Sequence, residues 1–346
     1  MLNSIFGALS GGVPAATAAI AVAHSTTPYI TAYPWSASGF GTKYSDPATL
    51  PSANIGYGVT FNPANSVIAV AATDSPYITA YPWSLSTGFG TKYSNPATLP
   101  TGVGNEPAFN SAGTELAVAH DTSPYISVYP WSSGFGTKYN NPSILPTGNG
   151  QSVDFSPSYG GQYDIAVGHA TTPFQTVYSF AGGWGAKYTN PATLPPSTVN
   201  GITFNPAGTV LASGHNNTPY TSAYPWTMGT GFGTKYANPA TLPPANAEQA
   251  AFNPAGTAFA VVHGTTPFVT VYAWSSGYGS KYANPATLPT GTGIGVAFNS
   301  TGTDLAVAHS TTPFISVYPW SAGFGTKYSD PATLPAGTGR GVAFTN

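Results

Sequence analysis

Residues 295–335 read GVAFNSTGTDLAVAHSTTPFISVYPWSAGFGTKYSDPATLP, and this stretch decides the fold. Gly295-Val296-Ala297-Phe298 is short and apolar, and the turn Asn299-Ser300-Thr301-Gly302 follows it. Leu305 to His309 is a second apolar run, ended by Ser310-Thr311-Thr312-Pro313. Phe314 to Tyr318 is a third, rich in β-branched and aromatic residues. After Ser321-Ala322-Gly323 comes a fourth, Phe324 to Tyr328, and the Pro-rich Pro331-Ala332-Thr333-Leu334-Pro335 leads onward. Runs of this length and residue type, punctuated by Gly, Pro, Asn and Ser, predict four short strands. No window shows sustained helical periodicity.

The same unit recurs along the chain. Lys43, Lys92, Lys138, Lys187, Lys235, Lys281 and Lys327 are spaced by 49, 46, 49, 48, 46 and 46 residues, and there is no other Lys. Trp35, Trp83, Trp131, Trp226, Trp274 and Trp320 keep the same step, with Phe180 in the fourth copy and Trp184 close by. His24, His120, His169, His215, His263 and His309 do likewise, with Ala72 in the remaining slot. Four-stranded units at this period are the pattern of propeller blades. The prediction is therefore an all-β, seven-bladed β-propeller.

The chain ends can close such a ring. The first unit lacks a clear first strand, for which Gly11-Gly12-Val13 is a faint echo. The last residues, Gly339-Arg340-Gly341-Val342-Ala343-Phe344, are an extra copy of it. The C-terminal segment is expected to be the innermost strand of the first blade, which removes an open edge. Residues 1–10 are then an N-terminal arm and 11–346 a single domain. Ala18 to Ala23 resembles the end of a secretion signal, but no positive region precedes it and it aligns with a repeated strand.

Composition narrows the function classes. Only 5% of the 346 residues are charged, against about 25% in ordinary domains, and the net charge is −2. The eight positive residues form no basic cluster, so a nucleic-acid partner is not expected. There is no cysteine to bind a metal or form a disulfide. No segment is long and apolar enough for membrane insertion.

Phe204-Asn205-Pro206-Ala207-Gly208-Thr209-Val210-Leu211-Ala212-Ser213-Gly214-His215 resembles the first strand, turn and second strand of WD40-type propellers of the bacterial and phage branch. The resemblance implies a scaffold for interaction and no single activity. The Trp-Asp pair of that family is absent, replaced by Tyr-Pro-Trp in most copies, so its His and Asp network is not carried over.

Several repeated groups admit two readings. The six His form either a metal or catalytic ring or a set of turn-stabilising hydrogen bonds, and the exception at Ala72 favours the second. The seven Lys contact an acidic partner or guard exposed edge strands with one charge each. The Trp and Tyr are sugar-stacking faces or core between blades. Asn216 and Asn299 match short glycosylation patterns.

One slot breaks the repetition. Four residues before the first-strand Phe stand Tyr57, Asn105, Gln151, Asn200, Glu248, Ile294 and Arg340. In the neighbouring slot Glu106, Ser152 and Gln249 interrupt Gly. Propeller geometry places the variable slot at one mouth of the central channel, and these seven residues are the candidate ligand-binding set. The ten acids, scattered along the chain, form no local acid-base motif, and nothing in the sequence supports a meeting of Glu248 with Glu106 across the channel.

Three functions compete. The first is a non-enzymatic virion component (tail, fibre or capsid decoration) with other virion proteins as partners, suggested by a near-neutral surface rich in Gly, Thr, Ser, Asn and Tyr. The second is a lectin-like or receptor-binding module for a host surface glycan. The third is a lactonase-like propeller hydrolase, with a metal near the channel mouth. No cofactor is expected for the first two.

Overall fold

The computed structural model describes residues 17–51 and 54–346. The proposed arm and the Gly11-Gly12-Val13 echo lie outside these residues. Seven antiparallel sheets follow one another, each with neighbouring strands in sequence order except where the ring closes. Blade four is typical, with strands Gly150–Phe155, Tyr163–His169, Gln175–Phe180 and Trp184–Lys187. In blades three and seven the fourth strand shrinks to a single bridge, Trp131 to Phe135 and Trp320 to Phe324. The fourth strand thus falls short of the predicted Phe324–Tyr328, because Pro319 in the third strand has no amide hydrogen to offer it; the fourth strand reaches four residues only in blades four and six, where Ser179 and Ala273 stand in that place.

Closure follows the expectation. The C-terminal strand Gly339–Phe344 pairs antiparallel with Ala18–His24, so blade one is built from both ends of the described chain. Thr345 reinforces the join: its amide donates to Ala19 O at 2.9 Å and its Oγ1 accepts from Ala19 N at 2.9 Å. Ala18 to Ala23, the stretch that resembled a secretion signal, is core strand paired on both sides.

The second strand of each blade is buried along almost its whole length. It has strands on either side and blades above and below, which explains its run of Ala, Val, Ile and Leu. The first strand is less completely buried: its second and fifth residues are partly exposed.

Aromatic side chains fill the outer wedges between blades. The Tyr that follows each Lys packs edge-on against the Trp, or Phe180, of the next blade, with ring centroids 4.9–5.5 Å apart. Such contacts add about 0.5–1.5 kcal/mol each beyond burial. The third-strand tyrosines Tyr33, Tyr81, Tyr129, Tyr178, Tyr224, Tyr272 and Tyr318 bury their rings and donate to a carbonyl of the Pro-rich crossing at 2.7–2.8 Å. These repeated Trp and Tyr residues are therefore core between blades, whereas Tyr57 lines the channel mouth and Tyr159 is exposed.

The lysines serve the same crossings. Each Nζ bonds the Asp or Asn three residues on, from Lys43 with Asp46 to Lys327 with Asp330. Only Lys187 and Lys281 lie in strands. The expected role as edge-strand guards is corrected: the lysine fastens the loop that carries the chain to the next blade.

Candidate functional site at the channel mouth

In every blade the first and second strands fall out of register at the variable slot. Gly104 pairs with His120 and Glu106 with Ala119, which leaves Asn105 bulged. Gln151, Asn200, Glu248, Ile294 and Arg340 are skipped in the same way, and in blade two the shift spans Tyr57 and Gly58. A bulge redirects the side chain it carries. All seven predicted residues consequently line one cavity of about 190 Å³, together with Glu106 and Gln249.

Glycine in the neighbouring slot lets adjacent bulges approach. A Cβ on Gly58 would stand 2.7 Å from Asn105 O, and one on Gly341 would stand 2.8 Å from Tyr57 O. Where the slot holds Glu106 or Gln249, a functional group enters the channel, whereas Ser152 is fully buried. Glu106 Oε1 accepts a hydrogen bond from Gln249 Nε2 at 2.8 Å, so blades three and six join across the axis and floor the mouth. It is Gln249, the residue after Glu248, that makes the crossing to Glu106. Gln249 was visible in the sequence only as an interruption of Gly.

Electrostatics set these carboxyls apart. Glu106 opens only onto the channel, and its Oε2 has no partner. Loss of hydration, reinforced by nearby Asp154, pushes its proton affinity up to about 8. Asp154 sits deeper, accepts from Phe204 N at 2.8 Å and is raised by burial to about 7. Glu248 at the rim is raised by desolvation, while its hydrogen bond from Asn246 and the charge of Arg340 pull it down. Arg340 lies over the Tyr57 ring, 4.7 Å from its centre.

The amides are oriented by their partners. Asn105 Nδ2 donates to Gly150 O at 2.7 Å and Asn200 Nδ2 to Ala247 O at 2.8 Å. A carbonyl only accepts, so the amide nitrogens must face it.

The histidines lie elsewhere. Each is fully buried, and its Nε2 shares a hydrogen bond of 2.9–3.1 Å with a third-strand Ser or Thr of its own blade. Burial lowers all six to about 4, so they are neutral. They hold hydroxyls and do not converge. Among the described residues no three His, Asp or Glu gather as a metal site, and the carboxyls at the mouth stand in different blades. Of the glycosylation patterns, Asn299 is buried and caps its own turn through Thr303 N and Asp304 N.

No protein-family model and no curated protein matches the sequence. Solved structures do match in fold. A "putative 6-phosphogluconolactonase" from Bacteroides uniformis superposes with a TM-score of 0.71 at 14% identity, covering 95% of this chain and 99% of its own. The periplasmic gluconolactonase of Pseudomonas aeruginosa gives 0.68 at 14% identity over the same shares. The β-propeller domain of Cps50 (Swd1) from Myceliophteria thermophila gives 0.55 at 12% identity, covering 81% and 88%. The WD40-like architecture is thus supported. The reading as a non-enzymatic virion component is corrected: structures that share the ring from end to end are named as lactonases, and nothing in the comparisons connects this chain with phage or virion. At these identities the likeness establishes the fold, a seven-bladed ring shared with lactonase-named propellers.

Proposed function

We propose that the chain is a hydrolase of small cyclic esters that works at the channel mouth. The observation that carries the reading is the pair of carboxyls in one small cavity, one of them, Glu106, protonated up to about pH 8, its buried Oε2 without a hydrogen-bond partner among the described residues. Environments that separate the proton affinities of two acids divide the roles of acid and base. The lactonase names of the solved propellers support the same reaction class.

The chemistry is acyl transfer to water. The Glu248 carboxylate takes a proton from water, whose oxygen attacks the ester carbonyl carbon. Arg340 stabilises the oxyanion that forms. The ring C–O bond then breaks, and Glu106 donates its proton to the departing oxygen. The product is the open hydroxy acid, and the proton held by Glu248 returns to Glu106 through solvent.

Proton release from glucono-δ-lactone, corrected for the buffer rate, tests the proposal. The purified chain should accelerate opening, and Glu106→Gln should lower kcat by about 10²–10⁴ while the fold persists. Activity should decline above about pH 8 in the parent, as Glu106 loses its proton, and not in the variant. A parent rate equal to buffer would end the proposal.

A further inference from the structure

We infer that the mouth takes an uncharged, polyhydroxylated ring and rejects the same ring bearing a phosphate. The inference rests on the proposed site and names the substrate class it serves. Three features of the lining carry it.

The first is charge. Arg340 is the one cation among the residues that line the cavity. It already stands over Tyr57 and within the field of Glu248. The lysines that might have helped are held on the blade crossings by Asp or Asn. A phosphate monoester carries about −1.5 to −2 charges near neutral pH. It would meet one guanidinium, itself offset by a carboxylate.

The second is hydrogen-bonding polarity. Phosphate oxygens only accept, so a phosphate site needs convergent donors. At this mouth several amide donors are already committed. Asn105 and Asn200 give theirs to backbone carbonyls, Asn200 also to Asn216 Oδ1, and Gln249 gives one to Glu106. The lining keeps acceptors in Asn105, Asn200 and Glu248 and donors in Gln151, the Tyr57 hydroxyl and Arg340. A mixed set of this kind fits the hydroxyls of a polyol, which both donate and accept.

The third is size. About 190 Å³ lies below the roughly 300 Å³ where pockets for drug-sized ligands begin. One small ring fits; a ring with a phosphate arm adds volume as well as charge.

Calorimetry on the intact chain tests this apart from turnover. The probes are gluconolactam, which mimics the lactone and is not opened, and gluconolactam 6-phosphate. The neutral lactam should bind at least 30-fold more tightly at pH 6.5. Ile294→Arg, which adds a cation to the ring of mouth residues, should shift that ratio at least 10-fold toward the phosphate. Equal or tighter binding of the phosphate by the parent overturns the inference, as does failure of both probes to bind. If the lactam binds selectively while glucono-δ-lactone is not turned over, the ligand class stands and the hydrolase reading falls.

Discussion

Thr79 is the third-strand hydroxyl that faces Ala72 where the other blades have histidine, and its Oγ1 is buried without a partner. An orphaned buried hydroxyl costs about 1–3 kcal/mol. Thr79→Val keeps the shape and removes the polar atom, so it should raise stability by about 1–3 kcal/mol. Thr31→Val should do the opposite, because it strands His24 Nε2, which Thr31 now holds at 2.9 Å. Urea unfolding of the two variants checks the pair; the same sign for both would remove the assigned role of the histidines. The mouth obeys the same accounting. Glu106 Oε2 is also unpartnered, yet its cost is tolerated at the channel. Buried polar groups left open in this way are common where chemistry is done.

At the scale of the element, blades are clasped unevenly. At the closure, Asp304 of blade seven accepts from Trp35 Nε1 at 3.0 Å and from Tyr328 OH at 2.9 Å. Asp164 does the same for Trp226 and Tyr188 between blades four and five. In blade one the equivalent residue is Ala19, and the Nε1 of Trp83 beside it in the core is unpaired. Asp304→Ala should therefore weaken the seam between blades seven and one. Each orphaned donor contributes about 1–3 kcal/mol of loss. A lowered urea midpoint is expected, and an unchanged midpoint would show that strand pairing alone closes the ring. On the other side of blade one, Asn346 ties it to blade two, since Asn346 and Asn65 exchange two hydrogen bonds of 2.8 Å.

For the whole molecule, the buried titratable groups set a pH optimum of stability. The six imidazoles sit at about 4, below the ordinary 6.5. The unfolded chain binds more protons between these values, so stability present above pH 6.5 is lost as pH falls toward 4. The slope is up to about 1.4 kcal/mol per pH unit for each histidine. Glu106 and Asp154 act the other way: their folded values, about 8 and about 7, exceed the ordinary 4.5 and 3.8. Their contribution is whole below the ordinary values and is lost as pH rises through 7 to 8. Burial raises Glu115, Asp164 and Glu248 in the same sense. Histidines dominate the approach to pH 6.5 and carboxyls the decline beyond it. Tm measured from pH 5 to pH 8.5 should peak near 6.5; a continuous rise to pH 8.5 would contradict the assignment of Glu106.

The repeat spacing, the run of apolar second strands and the extra C-terminal strand determined the seven-bladed ring and its closure before any coordinates. They are local patterns, and repetition wrote them seven times. The variable slot was legible for the same reason, as the place where seven copies disagree. What only the tertiary structure decided is how those residues act together. The bulges that turn them to the axis leave no mark in residue type, and Gln249 reaches Glu106 from 143 positions away. The proton affinity of Glu106 comes from being walled in by blades distant in sequence. Desolvation and charge depend on what surrounds a group in space, and only the closed ring supplies those surroundings.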